Sequence, residues 1–191
     1  QKTHGETCVD FFRTMKTMKT ILLVITGSIA AVRTPEIVRV LQKQGHQVHC
    51  LLTKSAQHFV TAEALAALSR NPVLENEFFS LEKIPEGILA LPSFPHLDLA
   101  KNIDLLLIAP ASAESIARLA QGRASGLFEA IALSTKFPIL VAPAMNSDML
   151  ENAFIQENIT RLEKKNVSVL PTEKGMLACG KEGWGKLLSP E

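Results

Sequence analysis

The 191-residue sequence contains no tyrosine and a single tryptophan. A surface that stacks nucleic-acid bases needs exposed aromatic rings, so this scarcity argues against a nucleic-acid partner. The formal net charge is only +1, so nothing in the charge suggests a nucleic-acid or membrane-surface partner. No apolar run approaches the roughly 20 residues that a membrane span requires. These absences argue against nucleic-acid and membrane partners.

Cysteine is also scarce, with three residues at positions 8, 50 and 179. They lie far apart, and no two of them form a CxxC pair. A scattered, odd set of this kind fits neither a disulfide framework nor a zinc site. We therefore expect no metal site, and a reducing cytoplasm as the location.

The first 17 residues carry charges throughout and lack the apolar core of a signal peptide. They end in a repeated Met-Lys-Thr, at Met15 and again at Met18. We interpret residues 1–17 as upstream or added sequence and Met18 as the native start. Residues 18–191 then have the size of one domain with a large core.

Short apolar runs alternate with helical segments along this domain. Strands buried on both faces are predicted at residues 21–26, 48–53, 104–109, 138–142 and 167–170. Helices are predicted at residues 35–44, 61–69, 112–121, 127–134 and 149–165. Residues 73–101 show no regular pattern, and the glycine-rich residues 171–191 are typical of a loop. The alternation predicts an α/β fold with a doubly wound parallel sheet.

Ligands of such sheets bind beyond the carboxyl ends of the strands, so the residues that follow the strands are the candidates. They are small, hydroxylated or amide-bearing: Gly27–Ala30, Thr53–Ser55, Pro110–Ala113 and Pro143–Asn146. The turn at Gly27 and Ser28 could hold a phosphate, or be an ordinary strand-to-helix turn. Ser112 could serve the same ligand, or be a plain helix N-cap. Two hydroxylated openings without a GxGxxG or P-loop motif favour a mononucleotide pocket.

Three further side chains have both a functional and a structural interpretation. Asn146 offers a donor and an acceptor after a strand-ending proline, but asparagine is also common in Asx turns. His96 is a single histidine in an irregular segment, where a structural role is more common than catalysis. Cys179 lies in a polar, glycine-rich tail, which favours a reactive thiol over a buried apolar one.

Five segments carry a more specific signal when they are taken in order. They are TGSIAA (26–31), PHLDLAK (95–101), APASAESIARLAQG (109–122), APAMN (142–146) and ACGKEGWGK (178–186). Over residues 19–190 the chain resembles the homo-oligomeric flavin-containing cysteine decarboxylase family, most closely its phosphopantothenoylcysteine decarboxylase branch. The resemblance implies a Rossmann-like three-layer α/β/α fold with a six-stranded parallel sheet, assembled as trimers or multiples of trimers.

The resemblance also implies a reaction, the FMN-dependent decarboxylation of 4'-phosphopantothenoylcysteine to 4'-phosphopantetheine in coenzyme A biosynthesis. Oxidation of the substrate thiol by FMN creates the electron sink that lets the carboxylate leave as CO2. His96 would act as acid and base, Asn146 would hold the carboxylate and Cys179 would donate the last proton.

The positions that match the flavin pocket are Gly27, Ser28, Ile29, Ala30, Thr53, Ser55, Ser112, Ala113, Ser115, Ala142 and Met145. The positions that match substrate contacts are Ala144, Met145, Asn146, Ala178, Gly180 and Lys186, with residues 171–188 as a flexible clamp. The chain departs from the family pattern at Lys181 (commonly aspartate), at Ser125-Gly126 (often Asn-Asp) and at Lys186 (usually arginine).

Two other functions compete with this one. The chain could be a different flavoprotein of the family, either a peptidyl-cysteine decarboxylase or a flavin prenyltransferase, although the prenyltransferases lack the PAMN-plus-ACG pair. It could also be a non-catalytic flavin-binding regulatory subunit, which would be expected to lose part of the His, Asn and Cys set. Many bacterial relatives continue into a second domain, so the chain is either a stand-alone enzyme or one half of a fusion.

Overall fold

The computed structural model describes residues 18–76 and 101–190, and these contain one six-stranded parallel sheet. Its strands are β1 (Thr20–Ile25), β2 (Gln47–Leu52), β3 (Leu74–Glu75), β4 (Leu105–Ala111), β5 (Ile139–Pro143) and β6 (Ser168–Val169). They lie in the order β3-β2-β1-β4-β5-β6. This is the Rossmann order, in which the chain reverses direction across the sheet between β1 and β4. The predicted fold class and the six-stranded parallel sheet are confirmed.

Helices cover both faces of the sheet. They are α1 (Thr34–Lys43), α2 (Ala62–Ser69), α3 (Ala113–Ala120), α4 (Leu127–Ser134), α5 (Ser147–Leu150) and α6 (Ala153–Glu163). α1 and α2 pack on one face, and α3, α4 and α6 on the other. Among the described residues, no helix has both the length and the apolar character that crossing a membrane would require.

The sequence of β1 explains the three layers. Its side chains point alternately to the two faces, and those of Ile21–Ile25 are all fully buried. Ile21, Leu23 and Ile25 pack in the cluster that contains α1 and α2, whereas Leu22 and Val24 pack in the cluster on the other face. A strand that is apolar on both sides needs a layer of helices over each of them.

Three elements of secondary structure differ from the prediction: one helix, one short strand and the C-terminal segment. The helix predicted at residues 149–165 is divided into α5 and α6, because Asn152 interrupts it and caps α6 by accepting a hydrogen bond from Phe154 N at 3.0 Å. The short strand β3 lies in a stretch for which no regular structure was predicted. With only two residues, it is too short to produce a periodic pattern.

The predicted C-terminal loop is wrong as well. Strands β7 (Glu173–Met176) and β8 (Glu182–Lys186) form an antiparallel hairpin there. Its glycines suggested a loop, but Gly180 lies in the hairpin turn with φ +79°, where glycine is favoured. The glycines of β8 serve a different purpose, described below.

Thr26 joins the carboxyl ends of β1 and β4, the two strands between which the strand order of the sheet reverses. It is 1% exposed, and its hydroxyl donates to the carbonyl of Pro110 at 2.8 Å. The same oxygen accepts from the backbone N–H of Ser112 at 2.8 Å. The hydroxyl therefore fixes the start of α3 relative to the end of β1.

We expect Thr26→Val to lower the free energy of unfolding by about 1–3 kcal/mol, because it leaves the N–H of Ser112 without its acceptor. Urea denaturation monitored by circular dichroism measures this change. Thr26→Ser keeps the hydroxyl and should retain more stability. An unchanged stability in Thr26→Val would show that the hydroxyl does not matter.

Candidate functional site

A polar cavity of about 690 Å³ lies beyond the carboxyl ends of β1, β2 and β4. We call it the hydroxyl cavity, because short hydroxylated and small residues form much of its wall. Six predicted flavin-pocket residues line it: Gly27, Thr53, Ser55, Ser112, Ala113 and Ser115. The structure therefore brings together residues that come from three separate strand ends.

Gly27 is the point of closest approach between the β1 end and the β2 end. A Cβ atom at Gly27 would lie 2.5 Å from both Cβ and Oγ of Ser55. The Ser55 hydroxyl lies 3.3 Å from that of Thr53, which in turn donates to the carbonyl of Ile25 at 3.2 Å. Any residue larger than glycine would push the two strand ends apart.

Ser112 and Ser115 form a second hydroxyl pair at the start of α3. Ser112 is the N-cap, since its Oγ accepts from the N–H of Ser115 at 3.3 Å. The two hydroxyl oxygens lie 3.0 Å apart, so one of them donates to the other. One hydroxyl hydrogen is left for a ligand. The N-cap interpretation of Ser112 is confirmed. Capping leaves one hydroxyl donor of the Ser112–Ser115 pair available.

A fully buried carboxylate, Glu129, supports the wall of the hydroxyl cavity. It accepts from Ser125 Oγ at 3.3 Å and from Asn76 Nδ2 at 3.2 Å, and lies 3.5 Å from Arg118 Nη1. Arg118 also binds Glu114 at 2.6 Å, and this hydrogen bond is the main cause that raises the pKa of Arg118. A buried charge needs such partners, and the shared arginine provides one.

Gly126, which departs from the family pattern, has a physical explanation in this network. It begins α4 without a side-chain cap, and Asn76 supplies one across the fold by accepting from Phe128 N at 2.8 Å. A Cβ at Gly126 would collide with Asn76 Nδ2 and lie 2.7 Å from Glu129 Oε2. Glycine here leaves room for the amide and the buried carboxylate.

Asn76, Arg118 and Glu129 were not predicted from the sequence to form part of this wall. The one local signal was the spacing of Glu114 and Arg118, four residues apart on a helix, which predicts an ion pair. The contacts of Asn76 and Glu129 join residues 53 positions apart. No local pattern could have revealed them.

A second cavity, of about 380 Å³, lies between the turn after β1 and the β7–β8 hairpin. We call it the hairpin cavity. Predicted site residues that line it are Ser28, Ile29, Ala30, Ala144, Met145, Asn146, Ala178, Cys179 and Lys186. Two of the three predicted catalytic residues, Asn146 and Cys179, thus face one space. The third, His96, lies outside the described residues.

Asn146 caps the short helix α5 and is exposed. Its Oδ1 accepts from the N–H of Met149 at 2.7 Å, as the Asx-turn interpretation predicted. Since Oδ1 is the acceptor, the amide nitrogen is the atom left for a ligand, and no described residue accepts from it. The hydrogen bond to Met149 therefore orients the side chain so that the amide nitrogen is the atom available to a ligand.

Ser28 joins the turn after β1 to the chain that follows β5 in the wall of the hairpin cavity. Its hydroxyl donates to the carbonyl of Ala144 at 3.1 Å and accepts from Ala30 N at 3.4 Å. Two other predicted residues line neither cavity. Ala142 is 4% exposed within β5, and Gly180 lies in the hairpin turn.

The two described cysteines have opposite environments. Cys179 is exposed in the hairpin turn, whereas Cys50 in β2 is fully buried. Burial raises the pKa of Cys50 to about 12, although a hydrogen bond with Ser69 opposes the shift. Among residues 18–76 and 101–190, no group of three or more His, Cys, Asp or Glu side chains could hold a metal ion.

We expect iodoacetamide at about pH 8 to alkylate Cys179 and spare Cys50 in the native protein, because only a thiolate reacts. A raised pKa keeps Cys50 protonated until the pH approaches the raised value. Peptide mass spectrometry of native and urea-unfolded samples separates the sites. Rapid native labelling of Cys50 would contradict its burial.

The sequence of the chain is similar to those of known proteins. The family model described as Flavoprotein matches residues 12–191. The coenzyme A biosynthesis bifunctional protein CoaBC of Haemophilus influenzae is 40% identical over 173 residues, which are 91% of this chain and 41% of that protein. The chain thus spans about two fifths of such relatives. The probable phosphopantothenoylcysteine decarboxylase of Streptococcus mutans is 39% identical over 88% of this chain and 91% of that protein.

Solved structures give the same picture. A cysteine-to-serine variant of PPC decarboxylase, in complex with pantothenoylaminoethenethiol, has a TM-score of 0.78 and 27% identity, covering 91% of this chain and 93% of that one. The FMN-binding protein AtHal3 has a TM-score of 0.75 and 26% identity, covering 91% of each chain.

Proposed function

Because the chain belongs to the Flavoprotein family, we propose that it decarboxylates 4'-phosphopantothenoylcysteine to 4'-phosphopantetheine with FMN as cofactor. The observation that carries the proposal is that Asn146 and Cys179, far apart in sequence, line one cavity beside the turn at Gly27 and Ser28. The Streptococcus mutans relative, matched over nearly its whole length, supports the same activity.

The hydroxyl cavity suits the phosphate and ribityl groups of FMN. Its volume lies within the range of small-molecule pockets, and hydroxyl donors line it at the carboxyl end of the sheet. Thr53, Ser55, Ser112 and Ser115 would hold these polar groups, and Gly27 would leave room for them. When bound, FMN would supply the two-electron oxidation of the substrate thiol that makes loss of CO2 possible, and would return the same two electrons to complete the saturated product.

The hairpin cavity suits the cysteine end of the substrate. The amide nitrogen of Asn146 would donate to the substrate carboxylate, and the cap to Met149 N keeps that nitrogen available. Cys179 would donate a proton to carbon once CO2 has left, because a thiol is a far stronger acid than a hydroxyl. His96, proposed as acid and base, is assigned by the resemblance alone.

The proposal includes an assembly and a location. We propose a trimer or a multiple of trimers, because the resemblance implies a flavin near a subunit boundary. The exposed apolar residues Ile29 and Val32, which border the hairpin cavity, are consistent with a neighbouring subunit there. The cytoplasmic location stays a prediction from the cysteine pattern.

Asn146→Asp tests the role of the amide. Aspartate caps a helix as well as asparagine does, so the fold should persist, but a carboxylate repels the substrate and donates no hydrogen bond. We expect kcat/KM to fall by about a hundredfold or more, with unchanged FMN content. Product formation is followed by mass spectrometry.

The control for this variant is Asn152→Asp, which makes the same substitution at the N-cap of α6, outside both cavities. It should retain wild-type turnover. If Asn146→Asp also turned over at the wild-type rate, Asn146 would be a helix cap and nothing more.

Cys179→Ser tests the last proton transfer. Thiol oxidation and CO2 loss should still occur, but the weakly acidic serine should fail to protonate the product. We expect an unsaturated enethiol that is lighter than 4'-phosphopantetheine by two hydrogens; the related enzyme with a cysteine-to-serine change was solved with an aminoethenethiol. His96→Asn should instead stop the reaction before CO2 is lost. Normal product from Cys179→Ser would remove Cys179 from the mechanism.

A further inference from the structure

The β7–β8 hairpin rests directly on the loop that carries Asn146. The backbone N–H of Met145 donates to the carbonyl of Gly185 at 3.0 Å. The hydroxyl of Ser147 donates to the carbonyl of Trp184 at 2.8 Å. Met145 and Ser147 flank Asn146 in the chain. The segment Met145–Ser147 therefore holds the hairpin and Asn146 in position relative to each other.

The glycines of β8 make this contact possible. A Cβ at Gly185 would collide with the carbonyl oxygen of Met145, and its φ of +116° also favours glycine. A Cβ at Gly183 would collide with the hydroxyl oxygen of Ser147 and lie 3.2 Å from its Cβ. The φ of Gly183 does not favour glycine in this way. A larger residue is excluded at this position because the hydroxyl of Ser147 lies too close.

Other side-chain contacts across this interface are weak. Lys181 and Asp148 approach to 3.8 Å, but their side chains are 75% and 83% exposed, and exposed ion pairs contribute little. Lys186 pairs with Glu173 at 3.4 Å, which joins the two strands of the hairpin to each other and not to the loop. Among the described contacts between β8 and the Asn146 loop, the hydroxyl of Ser147 therefore makes the principal side-chain hydrogen bond.

We propose that Ser147 is a positioning residue that latches β8 onto the Asn146 loop and so keeps Cys179 and Asn146 in one cavity. Its effect on catalysis rests on the proposed function, whereas the latch itself does not. Ser147 lines neither cavity. Its loss should therefore weaken substrate capture and leave FMN binding unchanged.

Trp184 gives a readout that is independent of activity. It is the single tryptophan of the chain, and its own carbonyl accepts the latch hydrogen bond. Ser147→Ala keeps the N-cap of α5 and removes only the hydroxyl. We expect the emission of Trp184 to shift to longer wavelength and its quenching by acrylamide to increase, while the midpoint of global unfolding stays unchanged.

A double-mutant cycle gives the sharpest test. Gly183→Ala should unseat the hairpin, because the new methyl group meets the Ser147 hydroxyl. In the Ser147→Ala background that hydroxyl is absent, so the same substitution should add little further change to the Trp184 signal. Such non-additivity is expected of residues that are in contact or belong to one hydrogen-bond network. Additive effects, or an unchanged Trp184 signal in Ser147→Ala, would overturn the latch.

The same variants are then assayed for decarboxylation. Ser147→Ala should raise KM by roughly three- to tenfold, as for one lost hydrogen bond, with a smaller effect on kcat. Ser168→Ala, which removes a hydroxyl from β6 without a described hydrogen bond, should match the wild type in both assays. A wild-type protein without decarboxylase activity would refute the proposed function, and the Trp184 cycle would still decide the latch. An unchanged KM in Ser147→Ala would refute its role in substrate capture.

Discussion

The hydrogen bonds of one buried hydroxyl, that of Thr26, hold together the part of the sheet where both cavities begin. In a doubly wound sheet the strand order reverses between two neighbouring strands. The connections that follow these two strands lead away from each other and leave a crevice between the strand ends. Thr26 spans this crevice at its base by bonding to Pro110 and Ser112 at once. The hydroxyl cavity opens directly above, and the turn through Gly27 and Ser28 leads into the hairpin cavity. The geometry of the candidate site is thus set by a residue that touches neither cavity.

Three of the residues proposed for the site also have structural roles. Ser112 caps α3, Asn146 caps α5 and Ser28 bridges to the carbonyl of Ala144. The caps of Ser112 and Asn146 leave donors available, because a helix cap uses the oxygen of a side chain as an acceptor, whereas Ser28 gives its one hydroxyl hydrogen to Ala144. The amide N–H groups of Asn146 and one hydroxyl hydrogen of the Ser112–Ser115 pair remain as donors. Capping also holds each side chain in one orientation, which is what a preorganised site requires.

The positions at which the chain departs from the family pattern have compensating neighbours. Gly126 lacks a capping side chain, and Asn76 provides the cap from the end of β3 while Glu129 occupies the adjacent space. Lys181 faces Asp148 in an exposed pair, and Lys186 faces Glu173 across the hairpin. Neither lysine is buried. Lysine in place of aspartate at position 181, or of arginine at position 186, therefore changes the free energy of folding little. These departures leave the hairpin seated on the loop at Met145–Ser147.

The sequence by itself determined the layers of the fold and the ends of the strands at which a ligand would bind. Runs of apolar residues such as Ile21–Ile25 bury both faces of a strand, and glycine or a hydroxyl at the strand end marks a turn; both signals are local. Only the tertiary structure decided that the predicted flavin-pocket residues divide between two cavities, and that the glycine-rich tail is a hairpin. Asn76, Glu129 and the contact of Ser147 with β8 were equally invisible, since each depends on atoms more than 35 residues apart in the chain. A glycine indicates conformational freedom in a sequence, and its neighbours in space decide whether that freedom serves a loop or a close contact between strands.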